Sequence, residues 1–258
     1  MREIEIGGLQ KTTLIDYPGK IACTVFLIGC NFRCPWCYSA ELVLPGKIKK
    51  QPRISEKEFF TFLKEKKGLL EGVAICGGEP CINKKLPDFI KKIKKLGYLI
   101  KLDTNGSDPA MLLKLINEKL VDYVAMDIKA PINAKMQNVK CKMQNDRLKI
   151  KNRYEQVVGA KVNMGKIKKS IEIIKNSDVD YEFRTTVVPV LHTKEDVIQM
   201  AKDISPAKRY FLQNFRPEKT IDPEYEKCRS FNQEELKSIQ KGCNKYVLTK
   251  LRGALFLK

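Results

Sequence analysis

The sequence lacks any apolar run approaching the roughly 18 residues that a membrane-spanning helix requires; its longest, Ile21 to Ile28, is strand-sized. Its start, Met1-Arg-Glu-Ile-Glu-Ile-Gly-Gly8, lacks the basic-then-apolar layout of a signal peptide. The expected address is therefore cytoplasmic, with no membrane partner. Histidine is almost missing, since His192 is the sole one in 258 residues. Acidic residues are also scarce, with 30 Asp and Glu against 49 Lys and Arg, a formal charge of +19. Such a field favours acidic partners, either nucleic acid or an acidic protein surface, and identifies neither.

What is present fits a globular chain of one or two domains, with 43% apolar residues and 8% aromatics. The nine cysteines (23, 30, 34, 37, 76, 81, 141, 228 and 243) would sit in a reducing compartment. There, clustered thiols and an odd count point to a metal site over a disulfide framework. Much of the basic excess has a structural reading. Between Lys84 and Leu96, Leu86, Phe89, Ile90, Ile93 and Leu96 form one helical stripe, with the lysines opposite. Because aromatics interleaved with these basic runs are few, the stretch reads as a solvated helix face before a nucleic-acid groove.

Strand-like runs alternate with amphipathic helices. The runs are Ala22–Ile28, Gly72–Cys76, Tyr98–Asp103, Tyr123–Ile128, Tyr181–Val188 and Arg209–Gln213. Helix starts are legible at Ser55 with Glu58, at Asp108 before Pro109, and at Thr193 with Asp196. Further helices are expected near 165–175 and 232–241. Six βα units predict an α/β fold with parallel strands, a partial (β/α)6 TIM-like barrel open on one side. A single domain over 1–258 is expected, with an N-terminal extension, 1–20, and a mobile basic loop insertion, 133–153. The insertion carries Lys135, Lys140, Lys142, Arg147, Lys149, Lys151 and Arg153.

Parallel barrels collect function at the carboxyl ends of their strands. There the chain places Cys30–Cys37, Gly77-Gly78-Glu79-Pro80, Asp103-Thr104-Asn105-Gly106, Asp127-Ile128-Lys129, Arg184 to Pro189 and Gln213-Asn214. In Cys30-Asn-Phe-Arg-Cys34-Pro-Trp-Cys37, three soft thiolates at spacings of four and three can wrap one metal centre. A structural zinc would want a fourth ligand, and the only imidazole, His192, lies far along the chain. Three ligands on a cubane instead leave one iron open to a substrate or cofactor.

The spacing Cys30-x3-Cys34-x2-Cys37, with Trp36 before the last cysteine and Gly77-Gly78-Glu79-Pro80 at the next strand, resembles the radical S-adenosylmethionine superfamily. Gly8 to Lys20 resembles, more narrowly, the activating proteins of anaerobic ribonucleoside-triphosphate reductase, relatives of pyruvate formate-lyase activase. Asp103 to Gly106, Asp127 to Pro131 and Gly159 to Asn163 continue the likeness. The resemblance implies a [4Fe-4S] cluster on Cys30, Cys34 and Cys37, with S-adenosylmethionine chelating the fourth iron. Gly78 and Glu79 would meet the methionine amine, Asp127 and Lys129 the cofactor's polar groups, and Gln213 its adenosine side. Trp36, Tyr38, Gly77, Asp103 and Asn105 would line the same pocket, and Asp103, Thr104 and Asp127 would hold a monovalent cation. Tyr38-Ser39 departs from the family's usual His-Asn.

The activity so implied is reductive cleavage of S-adenosylmethionine and hydrogen abstraction from a glycine of the partner reductase, fed by a low-potential donor such as flavodoxin or ferredoxin. One alternative is a radical enzyme acting on a nucleic acid or small molecule. Another is a non-catalytic zinc or nucleic-acid-binding protein. Cys76 and Cys81, flanking the glycine motif, read as a buried strand residue and a small loop residue before extra ligands. Cys23, Cys141, Cys228 and Cys243 read as structural, and His192 as a loop or helix-start residue.

Overall fold

Seven strands run parallel because a helical return separates each from the next. They are β2 (Ala22–Leu27), β3 (Gly72–Gly77), β4 (Leu99–Thr104), β5 (Tyr123–Asp127), β6 (Asp180–Val187), β7 (Tyr210–Asn214) and β8 (Thr249–Arg252). An antiparallel strand, β1 (Ile6–Thr13), pairs with β2 and completes one sheet in the order β1 to β8. The sheet is a partial barrel, with β1 and β8 at its two edges. The computed structural model describes residues 3–132 and 152–253.

Helices α1 (Ala40–Val43), α2 (Pro45–Ile48), α3 (Glu56–Glu65), α4 (Leu86–Lys95), α5 (Pro109–Asn117), α6 (Arg153–Val158), α7 (Met164–Lys175), α8 (Lys194–Ile204) and α9 (Gln233–Cys243) follow in chain order. Their starts obey local chemistry. Ser55 and Glu58 form a reciprocal capping box on α3, as Thr193 and Asp196 do on α8. Asp108 accepts from the Met111 N–H at 3.1 Å, with Pro109 in the first helical turn. The stripe of α4 buries Leu86, Phe89, Ile90 and Ile93.

Side chains alternate across each strand, so the sheet has two unlike faces. Cys23, Val25, Leu27, Val73, Ile75, Ile100, Leu102, Val124 and Met126 share one apolar core with the helices. The alternate residues face the barrel interior. At its lower end Tyr17 packs with Ala22, Tyr123 and Ala125, the Tyr17 and Tyr123 rings 6.0 Å apart.

The structure adds detail to two sequence expectations. The segment 1–20, expected as an N-terminal extension, contains β1 and supplies an edge of the sheet; its two glycines and short polar stretch hide the strand pattern. Arg153, read as part of the mobile insertion, is 2% exposed and opens α6, ion-paired with Asp196 at 3.5 Å. Strand β8 was also absent from the sequence pattern, being only four residues long. Residues 133–151, with Lys135 to Lys151 and Cys141, lie outside the described residues.

Candidate cluster and cofactor site

Parallel strand direction brings the loops after β2 through β7 to one end of the barrel. The first carries the three cysteines. Gly29, at φ +94°, turns the chain out of β2, and its N–H donates to the Leu42 carbonyl at 2.8 Å. Backbone donors approach two of the sulfurs, the Phe32 N–H toward Cys30 Sγ at 3.3 Å and the Ser39 N–H toward Cys37 Sγ at 3.5 Å. Burial pushes the Cys30 thiol up to about 11 and moves Cys34 and Cys37 the same way. A bare loop therefore keeps its protons, and metal binding must release them.

The donor set fits an iron–sulfur cubane. Among the described residues, no three of His, Cys, Asp and Glu converge on a single ion. A cubane instead takes one thiolate on each of three irons. Trp36 points to a missing neighbour as well, because it is buried and its Nε1 has no hydrogen-bond partner among the described residues.

Gly77 and Gly78 pack where a side chain would not fit. A Cβ on Gly78 would lie 2.0 Å from the Gly29 carbonyl oxygen, and one on Gly77, at φ +119°, 2.3 Å from that of Leu27. The close backbone approach is thus made to the cysteine loop itself. Glu79 is likewise turned inward and 2% exposed. Its carboxylate accepts from the Cys81 N–H at 3.0 Å, the Thr104 hydroxyl at 2.7 Å and the Asn105 N–H at 2.6 Å. Burial raises its carboxyl despite these donors. Asn105 then reaches the cysteine loop, donating to Asn31 Oδ1 at 3.0 Å. These residues lock three loops together, and whatever they offer a cofactor must come from backbone atoms.

The ionic part of the site centres on Arg184 of β6, a residue to which the sequence reading gave no role. Its Nη1 bonds Asp103 at 2.9 Å and its Nε bonds Asp127 at 2.9 Å. Lys101, 1% exposed, pairs with the other oxygen of Asp103, and Lys129 pairs with that of Asp127 at 3.1 Å. Burial alone would raise the Asp127 carboxyl, but Arg184 and Lys129 outweigh it and hold it at about 2. At the expected cation site, Asp103 is bonded by Lys101 and Arg184, Asp127 by Lys129 and Arg184, and the Thr104 hydroxyl donates to Glu79. A sequence signal for this polar interior existed in the period-2 pair Lys101 and Asp103 within an otherwise apolar strand.

Lys129 is gripped at several atoms. Its Nζ lies 5.0 Å from the Trp36 ring centroid, and its N–H donates to Tyr154 Oη at 3.4 Å. Its carbonyl lies 2.9 Å from His192 Nε2. Since His192 Nδ1 accepts the Val188 N–H at 3.0 Å, Nε2 carries the proton donated to Lys129. His192, expected in a loop or at a helix start, lies just before α8 and is also buried.

Tyr38 spans two loops, stacking on Phe215 at 6.1 Å and accepting from the Arg216 N–H at 2.7 Å. Gln213 lies one residue from the end of β7, registered with Arg252 of β8. Cys81 is buried beside Glu79, and burial pushes the Cys76 thiol, on β3, up to about 12.

The chain matches the family model described as the radical SAM superfamily across residues 24–204. A Methanocaldococcus jannaschii protein, by its provisional name a glycyl-radical enzyme activating enzyme, is 31% identical over 246 residues, 94% of this chain and 92% of its own. The anaerobic ribonucleoside-triphosphate reductase-activating protein of Escherichia coli K12 is 24% identical over 131 residues, 46% of this chain and 83% of its own. Among solved structures, Streptococcus suis SuiB bound to S-adenosylmethionine superposes with a TM-score of 0.60 at 12% identity. That match covers 88% of this chain, which spans about half of SuiB (48%), and it bears on the fold alone. With the thiol loop at the open end of a parallel partial barrel, the family match establishes that this chain belongs to the radical SAM superfamily, whose members carry a [4Fe-4S] cluster and S-adenosylmethionine.

Proposed function

We propose that this chain activates a glycyl-radical enzyme, and that the partner is an anaerobic ribonucleoside-triphosphate reductase. One observation carries the reading: the Methanocaldococcus jannaschii relative bearing the activating-enzyme name matches along nearly the whole of both chains. The shorter Escherichia coli match supports the choice of reductase.

In this proposal Cys30, Cys34 and Cys37 hold the cluster, beside the buried Trp36. When bound, the cluster and S-adenosylmethionine would supply the one-electron chemistry of radical generation. The chain's own contribution is placement. Asp127 and Lys129 present a fixed pair of charges to the cofactor's amino and carboxylate groups, held by Arg184, Tyr154 and His192. Gly77, Gly78 and Glu79 fix the cysteine loop against β3. The partner's glycine would enter at the barrel mouth, for which a sheet with two free edges leaves room.

The test is electron paramagnetic resonance after anoxic reconstitution, with reductant, S-adenosylmethionine and the reductase. A glycine-centred doublet on the reductase is expected. Release of 5′-deoxyadenosine with no doublet on any of several competent reductases overturns the assignment of partner and leaves a nucleic acid or small molecule as substrate.

A further inference from the structure

Exposed apolar surface is concentrated at the end of the barrel opposite the cysteine loop. Among the described residues, the five most exposed large hydrophobic side chains are Ile15 (77%), Leu14 (71%), Leu69 (64%), Leu248 (58%) and Ile21 (43%). All five lie on connections that enter the strands at their amino ends. Leu14, Ile15 and Ile21 lie between β1 and β2, Leu69 between α3 and β3, and Leu248, with the exposed Tyr246, between α9 and β8.

The β1–β2 connection is held firmly in this arrangement. The Thr13 hydroxyl accepts the Ile15 and Asp16 N–H groups at 3.3 and 3.2 Å, and the Thr24 hydroxyl donates to Asp16 at 2.7 Å. Tyr17 turns inward to fill the barrel base with Tyr123, while Leu14 and Ile15 turn out. Glu71 ties the neighbouring connection to the same loop: its N–H donates to the Ile21 carbonyl at 2.8 Å, and its carboxylate accepts the Ile21 N–H at 3.0 Å and pairs with Lys20 at 2.9 Å. Apolar side chains fixed outward cost solubility in a free monomer, and a patch of them marks an interaction site.

Charge decides which occupant fits. The seven connections at this end carry seven basic and five acidic residues, against a formal excess of 19 for the whole chain. Three of those acids are answered at close range, Glu71 by Lys20, Asp122 by Lys94 at 2.8 Å and Glu118 by Lys91 at 2.7 Å. Such a face attracts neither a strongly acidic partner nor a nucleic acid.

We propose that this end docks a second copy of the chain, the two barrels meeting base to base with their cysteine loops facing outward. Two chains of +19 repel over most of their surfaces, and a near-neutral face is where like copies can approach. An isologous contact presents the same patch twice, so apolar residues meet apolar residues. The six side chains supply an apolar centre and the connections around them a polar rim, for a contact of standard size, about 800 Å² on each partner. Docking at the base leaves both barrel mouths free, and it does not depend on which macromolecule enters there.

The test is sedimentation velocity of the full chain under anoxic conditions, where about twice the chain mass is expected for the wild type. Leu14→Asp/Ile15→Asp should weaken association by about thirtyfold or more, as loss of central anchors does. Leu69→Ser, on a different connection, should weaken it by about tenfold. Leu113→Asp, at an exposed leucine of α5, should leave it unchanged. Raising salt from about 0.05 to about 0.5 M should strengthen association or leave it in place, because only like-charge repulsion is screened. Circular dichroism and iron loading of the variants should match the wild type, which separates a lost contact from a lost fold. Leu14→Ser/Ile15→Ser is the milder pair should the aspartates unfold the chain. A wild-type monomer at about 100 μM, where a contact of standard size is populated, overturns the proposal. So does a dimer insensitive to the changes at 14, 15 and 69, equal weakening by Leu113→Asp, or dissociation by salt. A monomer whose binding to the reductase is lost in Leu14→Asp/Ile15→Asp also overturns it, and gives this end to that partner. None of these readings uses the glycyl doublet, so the two proposals fail separately.

Discussion

The two faces of the same strands divide the work of this protein. Outward residues of β2 to β6 are apolar and interlock with the helices, as Ile75, Ile100, Leu102 and Val124 do. Inward residues of β4 to β6 are Lys101, Asp103, Asp127, Glu182 and Arg184, charges that stay in the interior because each is answered by another. Glu182, fully buried, takes both terminal nitrogens of Arg252 at 2.6 and 2.9 Å and the Tyr123 hydroxyl at 2.8 Å. The contrast teaches that stability rests on one face and chemistry on the other, with the ionic ladder as a tax on the second.

Mutation can break that division. The largest effect is expected at the mouth: replacing Cys30, Cys34 and Cys37 with Ala should abolish iron and sulfide loading while leaving the metal-free thermal midpoint in place. A matching loss of fold would mean the loop is also structural. Next, Arg184→Met removes one of the two cations bonded to each of two half-buried carboxylates and should cost about 2–3 kcal/mol in urea unfolding. Adding Asp103→Asn and Asp127→Asn should recover much of it. Additivity of the three substitutions would show that the network is not coupled.

The third effect concerns a buried polar group that is kept neutral. Burial lowers His192 to about 4, against about 6.5 in an unfolded chain. Between those values the unfolded chain binds a proton that the folded one refuses. Stability should therefore be full above pH 6.5, fall as pH drops toward 4 and level off below, by about 3 kcal/mol at most. His192→Asn should flatten that part of a stability-against-pH profile, and an unchanged slope would assign it elsewhere. The smallest effect is on the outer face, where Ile75→Val should cost about 1 kcal/mol and leave S-adenosylmethionine affinity unchanged. A shift in affinity would show that the two faces communicate.

Much of the fold was legible because its signals are local. Ser55 with Glu58 and Thr193 with Asp196 cap helices as their spacing predicts, and the six expected strands appear with ends displaced by about one residue. Strand β1 escaped because Ile6-Gly-Gly-Leu-Gln-Lys-Thr-Thr has no alternation, and α6 because Arg153 looks like one more cation in a basic run. In the site, the cysteine spacing is a property of one loop and could be read directly. Arg184 could not, because its meaning lies in Asp103 and Asp127, 81 and 57 residues away.

The sequence by itself determined which chemistry is available: three thiols within eight residues, a glycine pair at the next strand end, and βα alternation that sends its six legible strands the same way. Those features depend on near neighbours and on periodicity, which a linear chain displays. Only the tertiary structure decided that Gly78 packs against the Gly29 carbonyl, that Glu79 binds its own loops, and that an arginine stands between the two aspartates. Each of these depends on which distant residue arrives within bonding distance, and burial then sets how strongly the meeting counts.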